Sequence, residues 1–522
     1  MVPKSAFLRG LLELGGEREA PPPITSVIVT TRDRIPQLQR CLCGFIENIE
    51  KHGRGVNYVV IDGSKSEPQR AKARDLLTSL LSGSAKINYA GMEEKVRFKS
   101  ELVRAGSAEG LPGDIVDFCL FGDEGFKQSF GANRNAILLA TVGELVMMTD
   151  DDTVYQPVAL GEPGKTLELT SLNDPTILQY FGDRRELLAK VHSADIDILS
   201  NHEKLLGRSI SGCMSSLGTD CMLEVGRIGP DSARVLRRTS AVVSATMSGI
   251  WGDSGMGSPN AALELMGESR DLAIRSQEDY SQAKNSREVL RGVPRNTVSE
   301  GSLFMAVNSG LDNRALLPPF LPSGRNEDGI FAMALHVCSE NALIGYLPFA
   351  ILHSPDEVRR FPQGAFLDPA PRIADIIAAT IRSFTPSPGH RSLAEDLSTL
   401  GKFFVDLGAQ EMDDFEDQIR SVWLADVSRY FGFLEYLLDL HHGQPDFWAK
   451  DVLSLIENFK KFIMHRSAAA PRELLETQSP DQAMETCRRV VRKFGELLRW
   501  WPVIYGAAGK LREAGIRLAN PI

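Results

Sequence analysis

The sequence has no apolar run long enough to cross a bilayer, no CxxC pair and no excess of positive charge, and each absence removes a class of protein. The most apolar stretches, around Ala136–Met148 and Ala342–Leu352, are short, and Glu144 interrupts the first, so no transmembrane helix is expected. The seven cysteines are an odd number without metal-binding spacing. Cys41 and Cys43 fall on an early helix, and Cys213 and Cys221 are isolated. Free thiols in a reducing compartment are the expectation, and a zinc site is not. The net charge of −10 argues against wholesale binding to nucleic acid, though not against a local basic patch. The N-terminal stretch is broken by Arg9, Gly10 and Glu13, with no small-residue cleavage site after it, so it does not read as a signal peptide. Residues 1–20 read instead as a short amphipathic helix ended by Pro21-Pro22-Pro23, and the expected location is cytoplasmic. No internal repeat of solenoid length is present.

What is present is an ordinary globular balance, with 43% hydrophobic and 24% charged residues over 522 positions, a length that calls for two or three domains. Residues 24–30 are a β-branched run that reads as a buried strand, and Ile35–Glu50 carries helical spacing at Leu38, Leu42, Phe45, Ile46 and Ile49. Tyr58–Ile61 reads as a second strand closed by Asp62-Gly63-Ser64, followed by a helix near Arg70–Leu81. Ala132–Thr141 reads as a helix leading into a strand at Leu145–Thr149. Between Ala90 and Gly131 a third strand and loops are expected. This alternation predicts an α/β fold with a mostly parallel, doubly wound sheet and helices on both faces. Residues 161–295 read as a long insertion of underivable topology. Order returns with a strand at Ser302–Val307 and a helix at Asp328–Cys338. Pro369, Pro371, Pro386 and Pro388 punctuate a linker, after which Ile419, Val422, Trp423, Val427, Tyr430, Phe431 and Leu434 form one helical stripe. The expected division is an extension over 1–23, a first α/β half over 24–160, an insertion and second half over 161–364, and a helical domain over 365–522.

The strand Leu145–Thr149 runs straight into Asp150-Asp151-Asp152. Three adjacent carboxylates repel one another, and a hard divalent cation shared with a substrate diphosphate is an economical way to neutralise them. A solvated acidic turn is the plain alternative. Three other pieces precede it in order: Thr30-Thr31-Arg32-Asp33 after the first strand, Asp62-Gly63-Ser64 after the second, and Gly131-Ala132-Asn133-Arg134-Asn135 opening a helix. All four would meet at one sheet edge across a switch in strand order, where open α/β folds bind ligands.

In that order and spacing the chain resembles the nucleotide-binding half of a GT-A glycosyltransferase, most similar to family 2, over residues 24–155 and more weakly to about 360. The resemblance implies a nucleotide-sugar donor, UDP by the family's frequency, with Thr30, Thr31, Arg32, Asp62, Arg134, Asp150 and Asp151 around the nucleotide. It implies a DXD-type motif in which Asp152, with Asp150, holds Mn2+ or Mg2+. His353, after the apolar run Gly345–Leu352, is similar to the histidine that several such enzymes add as a metal ligand, and an imidazole suits Mn2+ somewhat better than Mg2+. Glu327 and Asp328 resemble the family's acceptor-side acids, with Asp328 favoured as the base of an inverting displacement. Acids favouring a helix N-terminus through its dipole are the alternative there.

Other readings stay open at this level. Asp150-Asp151-Asp152-Thr153-Val154 also fits the nucleophile motif of haloacid-dehalogenase-type phosphatases, with Asp150 and Asp152 as the reacting pair, and Gly252-Asp253-Ser254 vaguely fits a later metal motif. A sugar-nucleotide pyrophosphorylase would need a glycine-rich phosphate loop, and the first strand ends in Thr30-Thr31-Arg32-Asp33-Arg34, without one. A non-catalytic scaffold of the same fold is a further alternative. The acceptor is open among glycan, peptide, lipid-linked and small molecules. Arg488, Arg489, Arg492, Lys493 and Arg499 interleave with Val490, Val491, Phe494, Leu497, Leu498, Trp500 and Trp501. That pattern suits a bundle helix with a solvated basic face better than peripheral membrane contact. Self-association through this part of the chain is the remaining partner expectation.

Overall fold

A computed structural model describes residues 20–81, 85–161, 164–226, 241–361, 370–386, 392–464 and 470–522. The amphipathic helix expected over 1–20 and part of the proline-rich linker lie outside the described residues. The strands are β1 (Ser26–Thr31), β2 (Asn57–Asp62), β3 (Lys86–Ala90), β4 (Leu145–Asp150), β5 (Thr153–Ala159), β6 (Thr166–Thr170), β7 (Ile177–Tyr180), β8 (Met222–Val225), β9 (Val242–Asp253), β10 (Glu288–Gly292), β11 (Asn296–Ser299), β12 (Asn308–Asp312), β13 (Ala342–His353) and β14 (Asn520–Pro521). They form one sheet in the order β14-β3-β2-β1-β4-β12-β9-β13-β11-β6-β8, with β10 between β7 and β9 and β5 on β13.

The first half follows from its side-chain alternation. Along β1, Val27 and Val29 face one core with Leu38, Leu42 and Phe45 of the helix Ile35–Lys51, while Ile28 faces the other with Ile137 of the helix Phe130–Ala140. A strand buried on both faces has no polar side to show, which is why it reads as a continuous β-branched run. Strands β1, β2, β3 and β4 are mutually parallel where they pair. The helices Ile35–Lys51 and Glu67–Ser79 match the expected segments within a few residues. The third strand expected with loops between Ala90 and Gly131 lies just before that stretch, at Lys86–Ala90, and the stretch itself is largely helical, with Met92–Ala105 and Gly113–Phe121.

The sheet as a whole is mixed, which corrects the expectation of a mostly parallel one. Strand β12 is antiparallel to both β4 and β9, β13 to β5 and β11, and β10 to β7 and β9. The second correction concerns residues 302–307, expected as a strand. The strand begins at Asn308, and the apolarity upstream comes from Phe304 packing on Phe331 at 5.4 Å between ring centroids. Residues 161–295 also do more than decorate the fold. They contain β9, which pairs with β12, β13 and β10 in the middle of the sheet.

The helices after residue 372 have two different surroundings. Leu397, Leu400 and Phe404 of the helix Leu393–Gly408, with Val490, Phe494, Leu497 and Trp501 of the helix Pro480–Glu513, are continuous with the core under β1 and β4. These two helices cross backbone to backbone, since a Cβ on Gly401 would lie 2.5 Å from the Gly495 carbonyl oxygen. Trp501 is fully buried and donates to the Leu317 carbonyl at 2.6 Å. The basic residues of that helix therefore flank a helix packed in the interior. Trp423, Val427, Leu434 and Leu437 instead join Trp448, Val452 and Leu455 and the residues Leu263 and Tyr280 in a separate cluster. No helix among the described residues is long and apolar enough to cross a membrane.

Candidate active site

Strand order reverses between β1 and β4, so their carboxyl ends open a crevice, and everything that follows either strand is delivered to it. Register places Thr30 opposite Asp150. The Thr30 hydroxyl donates to Asp150 Oδ1 at 2.9 Å, and the Thr31 hydroxyl donates to Asp151 Oδ2 at 2.7 Å. Arg34, at the start of the helix that follows β1, donates through Nη1 to Asp151 Oδ1 at 3.1 Å and to Asp152 Oδ2 at 2.9 Å. Arg32 turns the other way, to the Lys127 carbonyl at 2.8 Å. Burial, with Asp152 alongside, pushes the Asp151 carboxyl up to about 7 against the pull of Arg34. Burial also works against the Asp152 anion, but His353 beside it, with Arg34 and Arg359, outweighs that and holds its carboxyl below the usual carboxylate range.

The other wall comes from far along the chain. Asn135 exchanges two hydrogen bonds with Phe320, Oδ1 accepting from its backbone N at 2.7 Å and Nδ2 donating to its carbonyl at 3.0 Å. Gly131 has no room for a side chain, because a Cβ there would lie 1.9 Å from the Leu321 carbonyl oxygen. The helix Phe130–Ala140 is thereby fastened to the segment that leads into the helix Glu327–Cys338, and Arg134 sits between the two halves. Its Nη2 meets both oxygens of Asp150 at 3.1 and 3.2 Å, and its Nε donates to Glu327 Oε1 at 2.9 Å. Burial opposes the charge of Arg134, but Asp150, Glu327 and Asp328 outweigh it and hold the guanidinium firmly protonated. Glu327 is buried and held by this contact. Asp328 is half-buried at the crevice, accepting from the backbone N of Ala306 at 3.2 Å and of Gly329 at 2.9 Å. Burial pushes both carboxyls upward, with Arg134 opposing.

His353 ends β13 and faces Asp152, Nε2 to Oδ1 at 3.3 Å. Its Nδ1 lies 2.6 Å from the Asp253 carbonyl oxygen, so that nitrogen must carry a hydrogen. A neutral ring then presents the Nε2 lone pair to a carboxylate, an arrangement that requires either a proton or a cation between them. In the absence of a cation the proton wins: burial opposes it, but Asp152 and the Asp253 carbonyl raise the imidazole to about 9. The pair also fits a divalent ion, since two cis ligands of an octahedral ion with bonds of about 2.1 Å lie about 3 Å apart. The carbonyl behind Nδ1 is the usual support of a metal-bound imidazole. Asp150, the third expected ligand, is instead turned to Thr30 and Arg134. Among the described residues no group of three or more His, Cys, Asp or Glu side chains is set to hold a metal. A cation here would draw the rest of its shell from water and substrate oxygens.

These residues surround a cavity of about 640 Å3. Thr30, Thr31, Arg32, Arg134, Asp150, Asp151, Asp152, Glu327, Asp328 and His353 all line it. Asp62 does not. It is 1% exposed, with its oxygens accepting from the Ser64 backbone N at 2.7 Å and the Tyr89 hydroxyl at 2.8 Å, and it acts as the closing residue of its turn. Asn133 lines the cavity on that side. Sequence reasoning missed Arg34, Arg325, Arg359, Arg372 and the loop Ser254–Ser258, which also line the cavity. The adjacent pair Arg359-Arg360, shortly after His353, and the Gly-Ser punctuation after Asp253 were the available signals.

No family model matches the chain, and no curated relative matches it. Among solved structures it is similar to a mannosyltransferase from Pyrobaculum calidifontis in complex with GDP-Man and Mn2+, at 11% identity over 91% of this chain and 95% of that one, with a TM-score of 0.27. A likeness of that degree carries no argument, and the functional reading rests on the site itself.

Proposed function

We propose that the cavity is the active centre of a glycosyltransferase that moves a sugar, hexosyl in type, from a nucleoside-diphosphate donor to an acceptor in one inverting displacement. The observation that carries this is the convergence of Thr30, Thr31, Asp150, Asp151 and Asp152 from one end of the chain with Glu327, Asp328 and His353 from the other around a single crevice at the switch point. Thr30, Thr31 and Arg32 lie on the nucleotide side. Asp152 and His353 would hold a divalent cation, Mn2+ or Mg2+, which when bound would supply positive charge to the departing diphosphate. Arg134 bridges Asp150 and Glu327, one guanidinium between carboxylates from the two halves of the cavity. Asp328, half-buried and with a raised pKa, is suited to take the acceptor's proton as the acceptor attacks. UDP is the donor nucleotide favoured by the sequence resemblance.

The phosphatase alternative asks Asp150 to be a free nucleophile. Both of its oxygens accept from Arg134 and one also from Thr30, which favours the transferase reading. The deciding experiment is a thermal-shift series with UDP, GDP, dTDP, CDP and ADP, each with and without Mn2+. A metal-dependent shift for one nucleotide, lost in Asp152→Ala, supports the proposal, because a ligand of the native state raises its stability by mass action. No shift with any nucleotide, together with a trapped aspartyl-phosphate, sinks it.

A further inference from the structure

The cavity is bipolar. Its acidic end is described above; its opposite wall is cationic. Arg325 precedes the helix that carries Asp328, Arg372 precedes the helix Ile373–Ser383, and Arg359 follows β13. All three line the cavity. Arg287 stands just behind them, with its guanidinium on both oxygens of Asp253 at 2.8 and 3.0 Å and on the Met256 carbonyl at 2.6 Å. Arg359 shares the same Asp253 carboxylate, Nη2 to Oδ1 at 3.1 Å. Arg372 donates one hydrogen bond to the Gly257 carbonyl at 2.9 Å, and Asp375 accepts from its backbone N at 2.8 Å. Arg325 is exposed to the cavity and makes no hydrogen bond or ion pair among the described residues. Four guanidinia thus face Asp253 and Asp375; Glu327 also acts on Arg325 and Asp152 on Arg359, but these two acids are already engaged by Arg134 and by Arg34 and His353, and Arg472 and Glu473, which also act on Arg372, offset each other. Burial lowers the pKa of Arg325, and the neighbouring Arg359 and Arg287 lower it further. Burial likewise lowers Arg372, with repulsion from Arg472 and Arg325. Like charges held together with open donors are stabilised by an anion placed among them.

Every one of these cations belongs to the second half of the chain, and Arg325 is three residues from the proposed base. The nucleotide side has its own cations, Arg32, Arg34 and Arg134. We propose that the acceptor of this transferase carries a phosphoryl group, held by Arg325, Arg359 and Arg372 while its hydroxyl is presented to Asp328. A phosphoryl dianion matches the excess of charge and has three oxygens for guanidinia arriving from three different elements. A carboxylate is satisfied by one guanidinium fork. The proposal rests on the glycosyl-transfer reading of the cavity.

The test is isothermal titration calorimetry of the full chain with glycerol 3-phosphate, glycerol and succinate. Each titration is run at saturating nucleoside diphosphate and Mg2+, using the nucleotide that gives the thermal shift. Glycerol 3-phosphate is expected to bind, glycerol to give no heat, and succinate to bind more weakly. Arg325→Gln and Arg372→Gln should each weaken glycerol 3-phosphate by about tenfold, with Arg325→Lys weakened less, and leave nucleotide affinity unchanged. Competition between glycerol 3-phosphate and the nucleotide, or a matching loss of nucleotide affinity in the glutamine variants, overturns the proposal and assigns the cluster to the donor diphosphate. Binding of succinate as tight as glycerol 3-phosphate overturns the choice of a phosphoryl group. Failure of every nucleotide to bind overturns the donor site, and with it the assignment of an acceptor, whatever glycerol 3-phosphate does.

Discussion

Arg134 donates through Nε to Glu327 at 2.9 Å, a contact between residues 193 positions apart that ties the two halves of the cavity together. The same guanidinium holds Asp150, so one buried cation serves carboxylates from the end of β4 and from the start of the helix Glu327–Cys338.

Removing that cation leaves the buried Glu327 carboxylate without its ion-pair partner and Asp150 with the Thr30 hydroxyl alone. Arg134→Leu is expected to destabilise the protein by about 3–5 kcal/mol, the usual result of breaking a buried pair from one side. Glu327→Gln keeps the shape and one acceptor, and should cost less. Urea unfolding of both variants measures this, and equal stabilities would show that the pair is not buried as described.

Asp328→Asn should retain fold and nucleotide affinity while losing activity by about 10²–10⁴-fold, the typical contribution of a positioned base. Steady-state kinetics with the donor nucleotide's Kd measured separately distinguishes this from loss of binding. Full activity in the variant would move the base elsewhere.

Metal binding should strengthen with pH. A cation at His353 Nε2 displaces the proton held there, and that proton leaves only as pH rises toward about 9. Mg2+ titrations between about pH 6.5 and 8.5 should show affinity rising with pH. In His353→Gln the slope should flatten and the affinity fall. A pH-independent affinity in the wild type would exclude His353 as a ligand.

His202 supplies an independent test away from the cavity. It is fully buried, with Nδ1 2.7 Å from the Thr246 hydroxyl and Nε2 3.2 Å from Asn308 Oδ1, and burial pushes its imidazole down to about 4. Below the ordinary value of about 6.5 the unfolded chain takes up a proton that the folded chain refuses until about pH 4. Stability is therefore lost as pH falls through that window, by about 3 kcal/mol in all. Denaturation midpoints at several acid pH values, compared with His202→Gln, should show a shallower decline in the variant.

Gly495→Val tests the helix crossing. A Cβ at Gly495 would lie 2.6 Å from the Gly401 carbonyl oxygen and 2.7 Å from the Val405 backbone N, neither of which can yield without moving a helix. A loss of about 2–3 kcal/mol or more is expected. A neutral result in thermal melts would mean that the two helices separate easily.

Much of the first half was legible because its signals are local. Val27 to Val29 alternate between two cores, Pro36 opens a helix with one apolar stripe, and Met147-Met148 deliver three carboxylates to a strand end. Thr30, Thr31, Arg134, Asp150, Glu327, Asp328 and His353, expected together because motif order survives in one dimension, all line the one cavity. What escaped depends on pairings that no local pattern encodes. Strand β9 takes three partners, β12, β13 and β10, each from a different part of the chain. Phe304 looked like part of a strand because packing on Phe331 and pairing in a sheet ask for the same kind of residue. Asp62 was expected in the cavity because a carboxylate at a strand end looks the same whether it faces a ligand or closes its own turn. Arg34 and Arg325 carry no motif; their importance comes from which charges the fold sets beside them.

Strand β14 has a bearing on how the chain assembles. Asn520 pairs with Tyr89 and so covers β3, whose edge would otherwise be open, while Trp501 and Phe494 complete the core beneath β1 and β4. During synthesis the first four strands leave the ribosome long before the residues that finish them. At typical elongation rates the interval is roughly tens of seconds. Over that time the nascent chain carries an uncovered strand edge and an unfilled apolar face, and both invite wrong partners. The half built on β1 to β4 is therefore made early and is among the last parts completed.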